Sequence, residues 1–275
     1  MAYPTVSAPY GFKPVNLIGG QVFSGATRNL PIAYGYNTNL FYGDFVALDT
    51  TGTNSTVGTV ISIANTLATA TVGVFLGCSY TNPATKQKIF SQYWPAGTLA
   101  GDAVAIVCDD PDTVFKVAVC TAAGAATIGS ASIKNLGSNL AGNTLTGSVS
   151  TGDSAGALVG AATSSGNFRI LSLVPDTQIS SSATYVSGTG TTTLTVSGLT
   201  VGQVIPVGAD VFQLVNGQLQ YTGSTVTTAA TVSSATSQAL TVSASTVTVS
   251  GTLVIVQTPE VLAKITFGSH RYYVA

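Results

Sequence analysis

Charge is what this sequence has least of. Only 7% of its 275 residues are Asp, Glu, Lys or Arg, against about 25% in an average soluble protein. The net charge is −1, and no block of like charge occurs anywhere. That excludes a nucleic-acid surface and an anionic-membrane surface, which both need clustered Lys and Arg. Histidine occurs once, as His270, and glutamate once, as Glu260. A Ser-His-Asp arrangement would have to use His270, in "FGSHRYY", and no nucleophile-elbow motif accompanies it. His270 therefore reads as structural. Cys78, Cys108 and Cys120 are odd in number and have no metal-like spacing, so they read as buried free thiols in a chain folded under reducing conditions. No segment approaches the ~20 apolar residues of a membrane span. The start, "MAYPTVSAPYGFKPV", lacks the basic and apolar stretches of a signal peptide. Capped amphipathic helices are missing too, because the Ala-rich pieces are also rich in Gly and Thr.

Two clusters resemble chemistry without supplying it. "DDPD" (Asp109, Asp110, Asp112) has no further carboxylates nearby to complete a calcium site, and reads as a turn before which Asp caps a reversal at Pro111. "LIGGQVFSGATR" has neither the phosphate-loop lysine nor a following helix. The reading is of no catalytic residue, no metal and no cofactor: not an enzyme.

What the sequence does have is apolar content, 45%, mixed with neutral Ser, Thr, Gly and Asn. A chain with so little net charge is poorly protected against association, which suits a protein that sits in an assembly. From Leu40 onward the hydrophobic period is two, the mark of strands. In "TVFKVAVC", Phe115, Val117 and Val119 should face a core while Lys116 faces out. In "VLAKITF", Val261, Ala263, Ile265 and Phe267 should share a face. The expected fold is all-β, a barrel or sandwich core with an extended N-terminal arm and an inserted small β module.

Three regions follow. Residues 1–38 alternate prolines and glycines, which break regular structure, yet are too aromatic for a free tail; they read as an extended arm. Residues 39–178 read as the β core, completed by 259–275. Residues 179–258 carry one charged residue, Asp210, and alternate Thr, Ser and Val, reading as an inserted β module. Within it Asn216-Gly217, flanked by alternating residues, predicts a tight hairpin.

The densest recognition signal is "VGVFLGCSYTNPATKQKIFSQYWPAGT", residues 72–98. It holds the only tryptophan, Trp94, beside Tyr93, with Lys86 and Lys88 in a loop that should be exposed. Aromatics give large contact area at low entropic cost and lysines suit a rim, although the same run could equally be a local core.

"APYGFKPVNLIGGQVFSGATR", "LFYGDFV", the 72–98 run and "AVAIVCDDPDTVFKV" together resemble a family of tailed-bacteriophage capsid decoration, or cement, proteins. The resemblance covers about residues 8–120 and, more weakly, "VLAKITFGSHRYY"; the 179–258 stretch departs from the family. It implies a non-enzymatic virion protein on the capsid exterior, made in the host cytoplasm, that binds the major capsid protein and neighbouring copies of itself as a homotrimer. It implies neither nucleic acid nor membrane as partner. The expected contact residues are Tyr10 and Phe12 as anchors on a neighbouring subunit, Lys13 and Arg28 pairing with its acidic groups, and Lys86, Lys88, Tyr93 and Trp94 in the loop. A tail- or fibre-associated protein or a glycan-binding adhesion module is the alternative.

Overall fold

The structure, a computed structural model, describes residues 6–52, 56–63, 71–162, 166–188 and 192–270. Residues 1–5 of the expected arm, 189–191 of the expected module and 271–275 of the expected closing segment lie outside them. Strands make up 47% of the fold and helix 2%, so it is all-β.

Among the described residues the first strands are β1 (Lys13–Leu17), β2 (Arg28–Pro31), β3 (Phe45–Leu48), β4 (Val60–Ser62), β5 (Thr71–Thr81) and β6 (Lys88–Ser91). Next come β7 (Val104–Cys108), β8 (Thr113–Cys120), β9 (Asn139–Asn143), β10 (Ala157–Ala162) and β11 (Phe168–Leu173). Between residues 179 and 257 run β12 (Ile179–Gly188), β13 (Thr193–Ser197), β14 (Val204–Ile205) and β15 (Asp210–Val215). The same stretch continues with β16 (Gln218–Thr225), β17 (Ala230–Thr231), β18 (Gln238–Thr241) and β19 (Thr252–Gln257). The last strand is β20 (Glu260–Ile265).

Strands β8, β10, β9, β11 and β20 pair in that order, and β20 returns to β8, giving a closed five-stranded, barrel-like sheet. Closure leaves no open edge within the ring. Alternation along β8 sends Phe115, Val117 and Val119 into the core while Lys116 stays half-buried outside. A second sheet, β2-β7-β5-β3-β4 with β6 added to β5, lays Phe45, Val74 and Cys108 of one face into the same core. Its other face is covered by residues 32–40 and by Trp94, forming a second core with Phe75, Val107 and Tyr80.

Strands β12 to β19 form sheets of their own, β16-β15-β19-β12-β13-β18 and β14-β17, around a third core that includes Val196, Val211, Leu240 and Ile255. The Asn216-Gly217 turn joins β15 to β16 with φ of 51° and 79°. Positive φ at both central residues is what a two-residue hairpin with the sheet's twist requires. This unit meets the barrel at Asp210, whose carboxylate accepts from Ser132 Oγ at 2.6 Å and from the Ile133 N–H at 2.8 Å.

The first 38 residues are not an arm set apart. Strand β1 pairs antiparallel with β8, and β2 with β7. Their prolines do not prevent this, because Pro14 lies on a strand at the end of its sheet and Pro31 ends an edge strand, where no ladder N–H is needed. Phe267 also departs from expectation. The strand ends at Ile265, so Phe267 leaves the face of Val261, Ala263 and Ile265 and is 59% exposed.

Candidate functional site

Of the expected contact residues, Phe12 and Trp94 are buried, Tyr10, Lys13 and Tyr93 are half-buried, and Arg28, Lys86 and Lys88 are exposed. Phe12 is fully buried, stacked on Phe168 and edge-on to Phe45 and Phe115. Backbone bonds from Gly11 N to Gly156 O and from Phe12 N to Gly43 O, both 2.9 Å, thread the segment between barrel and sheet. Gly11 has φ of +83°, and a Cβ there would stand 2.8 Å from Ser154 Cβ, so the close passage depends on glycine. Tyr10 donates its hydroxyl to Glu260, whose other oxygen lies 3.0 Å from Lys116 Nζ. Burial, and then the Glu260 carboxylate, raise the Tyr10 pKa. Tyr10 and Phe12 therefore anchor this chain's own core and not a neighbour's, a correction whose cause is the room left where barrel and sheet meet.

Three of the four expected cations are paired within the chain. Lys13 lies 3.1 Å from Asp153, Arg28 2.9 Å from Asp109 and Lys88 2.9 Å from Asp102. Lys86 is exposed, in the left-handed region at φ 59°, in the expected surface loop. Trp94 is core: fully buried, it packs edge-on to Tyr80 at 5.3 Å and donates Nε1 to Tyr36 O at 3.1 Å. Tyr93 is half-buried and stacks on Phe41 at 5.9 Å.

The groups weighed for chemistry are also accounted for. His270 is fully buried with Nε2 3.2 Å from the Asp109 carbonyl, and burial lowers its pKa. "DDPD" forms the turn between β7 and β8, with the Asp112 N–H donating to Asp110 Oδ1 at 2.8 Å. The three cysteines are free and buried. Burial pushes Cys78 up to about 12 and Cys108 to about 11, far from a reactive thiolate. Among the described residues no three His, Cys, Asp or Glu gather as metal ligands, and no helix is long and apolar enough to cross a membrane.

One of the exposed apolar faces lies on the second sheet. Val74 and Cys108 are opposite one another and covered by the barrel. Farther along that face Ile106 pairs with Gly77, and Val104 and Phe90 both pair with Ser79. Here the barrel no longer covers the sheet, so Leu76, Val104 and Ile106 are only half-buried and Phe90 is 78% exposed. Phe90, Leu76, Ile106 and Tyr42 line a shallow groove of about 390 Å³. Its rim is a fixed polar cluster: Asp153 accepts from Lys13 and from Gln92 Nε2 at 3.0 Å, and Lys13 Nζ sits 4.0 Å over the Tyr42 ring. An apolar patch rimmed by paired charges is suited to burying against another protein.

Phe90 was within the aromatic run but not among the expected contacts. The signal was present in Ile89-Phe90: neighbours on a strand point to opposite faces, so an edge strand must present one of them. Compared with known proteins, the chain matches no family model, no curated protein and no solved structure.

Proposed function

We propose that the chain is a non-enzymatic virion protein that decorates the outside of a tailed-phage head, binding the major capsid protein as a homotrimer. The observation that carries this reading is the uncovered end of the second sheet, where Phe90, Leu76, Val104 and Ile106 form an apolar patch flanked by the Lys88–Asp102 pair. The sequence blocks that resemble decoration proteins supply β5, β6 and β7, strands of that same sheet. A large exposed aromatic on an apolar face is the usual dominant anchor of a protein interface. Many identical copies on a lattice hold by avidity even where one contact is modest. Pairing of Lys13, Arg28 and Lys88 inside the chain leaves that face to apolar contact, so binding should depend little on salt.

The test is co-sedimentation of purified protein with undecorated heads, using wild type and Phe90→Ser. Phe90 is exposed, so its substitution should leave the melting temperature unchanged and abolish sedimentation with heads. Wild-type protein that stays in the supernatant contradicts the capsid reading. Equal binding by Phe90→Ser contradicts the assigned face.

A further inference from the structure

The register of the barrel places two cations side by side. Arg169 on β11 is the direct cross-strand partner of Lys264 on β20, and on its other side of Asn139 on β9. Residues directly opposite on adjacent strands share a face, and like charges in that relation repel. Lys264 is answered by Asp112 at 3.4 Å and lies 5.5 Å from the centre of the Phe267 ring. Arg169 is exposed, and among the described residues it has no carboxylate within ion-pair distance, unlike Lys13, Arg28, Lys88, Lys116 and Lys264. The row Asn139–Arg169–Lys264 lines a groove of about 400 Å³ whose other walls include Ile18, Leu171 and Phe267. Ile18 and Phe267 are each more than half exposed. A planar guanidinium beside an amide donor and a second cation is the arrangement that holds a carboxylate.

We propose that this groove docks an extended segment of a partner protein presenting an Asp or Glu side chain next to an apolar one. The carboxylate is forked by Arg169 and relieves its repulsion with Lys264, while the neighbouring apolar side chain lies against Leu171 and Phe267. Charge complementarity sets the sign of the occupant. The apolar wall beside the cations selects a protein segment over a small acid, which would leave that wall wet. The groove shares no residue with the Phe90 face, and the assignment stands whether or not the partner is a capsid subunit.

The test uses the whole ¹⁵N-labelled chain and the blocked peptide acetyl-Gly-Asp-Leu-Gly-amide, followed by amide and Arg side-chain shifts. Shifts are expected to saturate at residues 139, 169, 264 and 267. The dissociation constant should rise by about tenfold or more with the Asn-for-Asp peptide and with Arg169→Gln, as expected for loss of a charge-assisted, two-pronged contact. Arg169→Lys should fall between, keeping the charge without the fork. Equal binding of the Asn peptide, or shifts scattered over the surface, overturns the proposal. So does acetate matching the peptide's affinity, which leaves an anion site with no role for the apolar wall. A chain that binds the Asp peptide here yet fails to sediment with heads refutes the capsid reading alone.

Discussion

The ring of Phe12 stacks on Phe168 with centroids 4.4 Å apart and planes 25° from parallel. One residue belongs to the N-terminal segment and the other to the barrel, so the segment is part of the core. Phe12→Ala should therefore destabilise the chain by about 3–5 kcal/mol, the range for removing a buried aromatic ring. Deleting residues 1–12 should cost at least as much, since Tyr10 and its bond to Glu260 go too. Urea unfolding monitored by tryptophan fluorescence checks both. An unchanged midpoint would show that the segment detaches without consequence.

Asp44 gives the chain a pH dependence of definite sign. Its carboxylate accepts from Ser154 Oγ at 2.5 Å and from the Phe41 N–H at 2.8 Å, yet burial outweighs both and raises it to about 6. The folded chain thus holds this proton more tightly than the unfolded chain, where the pKa is about 3.9. The resulting stabilisation is full below about pH 3.9 and is lost as pH rises through about 6. Asp210 shifts in the same direction, also through burial first. His270 opposes them: burial lowers its pKa, so its contribution is present above about pH 6.5 and lost on acidification. Asp44→Asn isolates the Asp44 effect. The melting temperature at pH 5 minus that at pH 7.5 should be more positive in wild type than in the variant, and equal differences would refute the assignment.

Asp210 joins the 179–257 strands to the barrel. Asp210→Ala leaves the Ser132 hydroxyl and the Ile133 N–H without their acceptor. A loss of about 1–3 kcal/mol is expected, chiefly from the buried Ser132 hydroxyl left unpaired. Hydrogen exchange should quicken at Ile133 and its neighbours while the protection of β19 and β12 persists, since those strands have a core of their own. Uniform loss of protection across all three cores would mean the two units unfold as one.

Arg169 and Lys264 repel in the free chain, so Arg169→Gln should raise stability by about 0.2–1 kcal/mol at low salt. The gain should shrink only in part at 1 M salt, since Arg169 is exposed but Lys264 is buried and less screened. Thermal unfolding at two ionic strengths is sufficient. A fall in stability would mark Arg169 as a structural residue.

Much of the architecture was legible in the sequence because it is written in local periods. The alternation in "TVFKVAVC" placed Phe115, Val117 and Val119 correctly, and Asn216-Gly217 marked its hairpin. The errors share a cause: burial and pairing decided by distant residues. Trp94 is core because residues 32–40 cover it, which an isolated aromatic run cannot reveal. Lys13 finds Asp153 across 140 residues of chain, so its free appearance in the sequence was a property of the unfolded string. Arg169 passed as an unremarked charge in "NFRIL", because its significance comes from the cross-strand register with Lys264.

The central claim, that the chain covers the outside of a phage head through its Phe90 face, is tested most directly by an electron-microscopy map of particles carrying it. The account predicts density for the chain on the outer shell, three copies around a common axis, with Phe90 and Ile106 buried against a capsid subunit. Density in the tail or fibres, or on the head with Phe90 facing solvent, would contradict it.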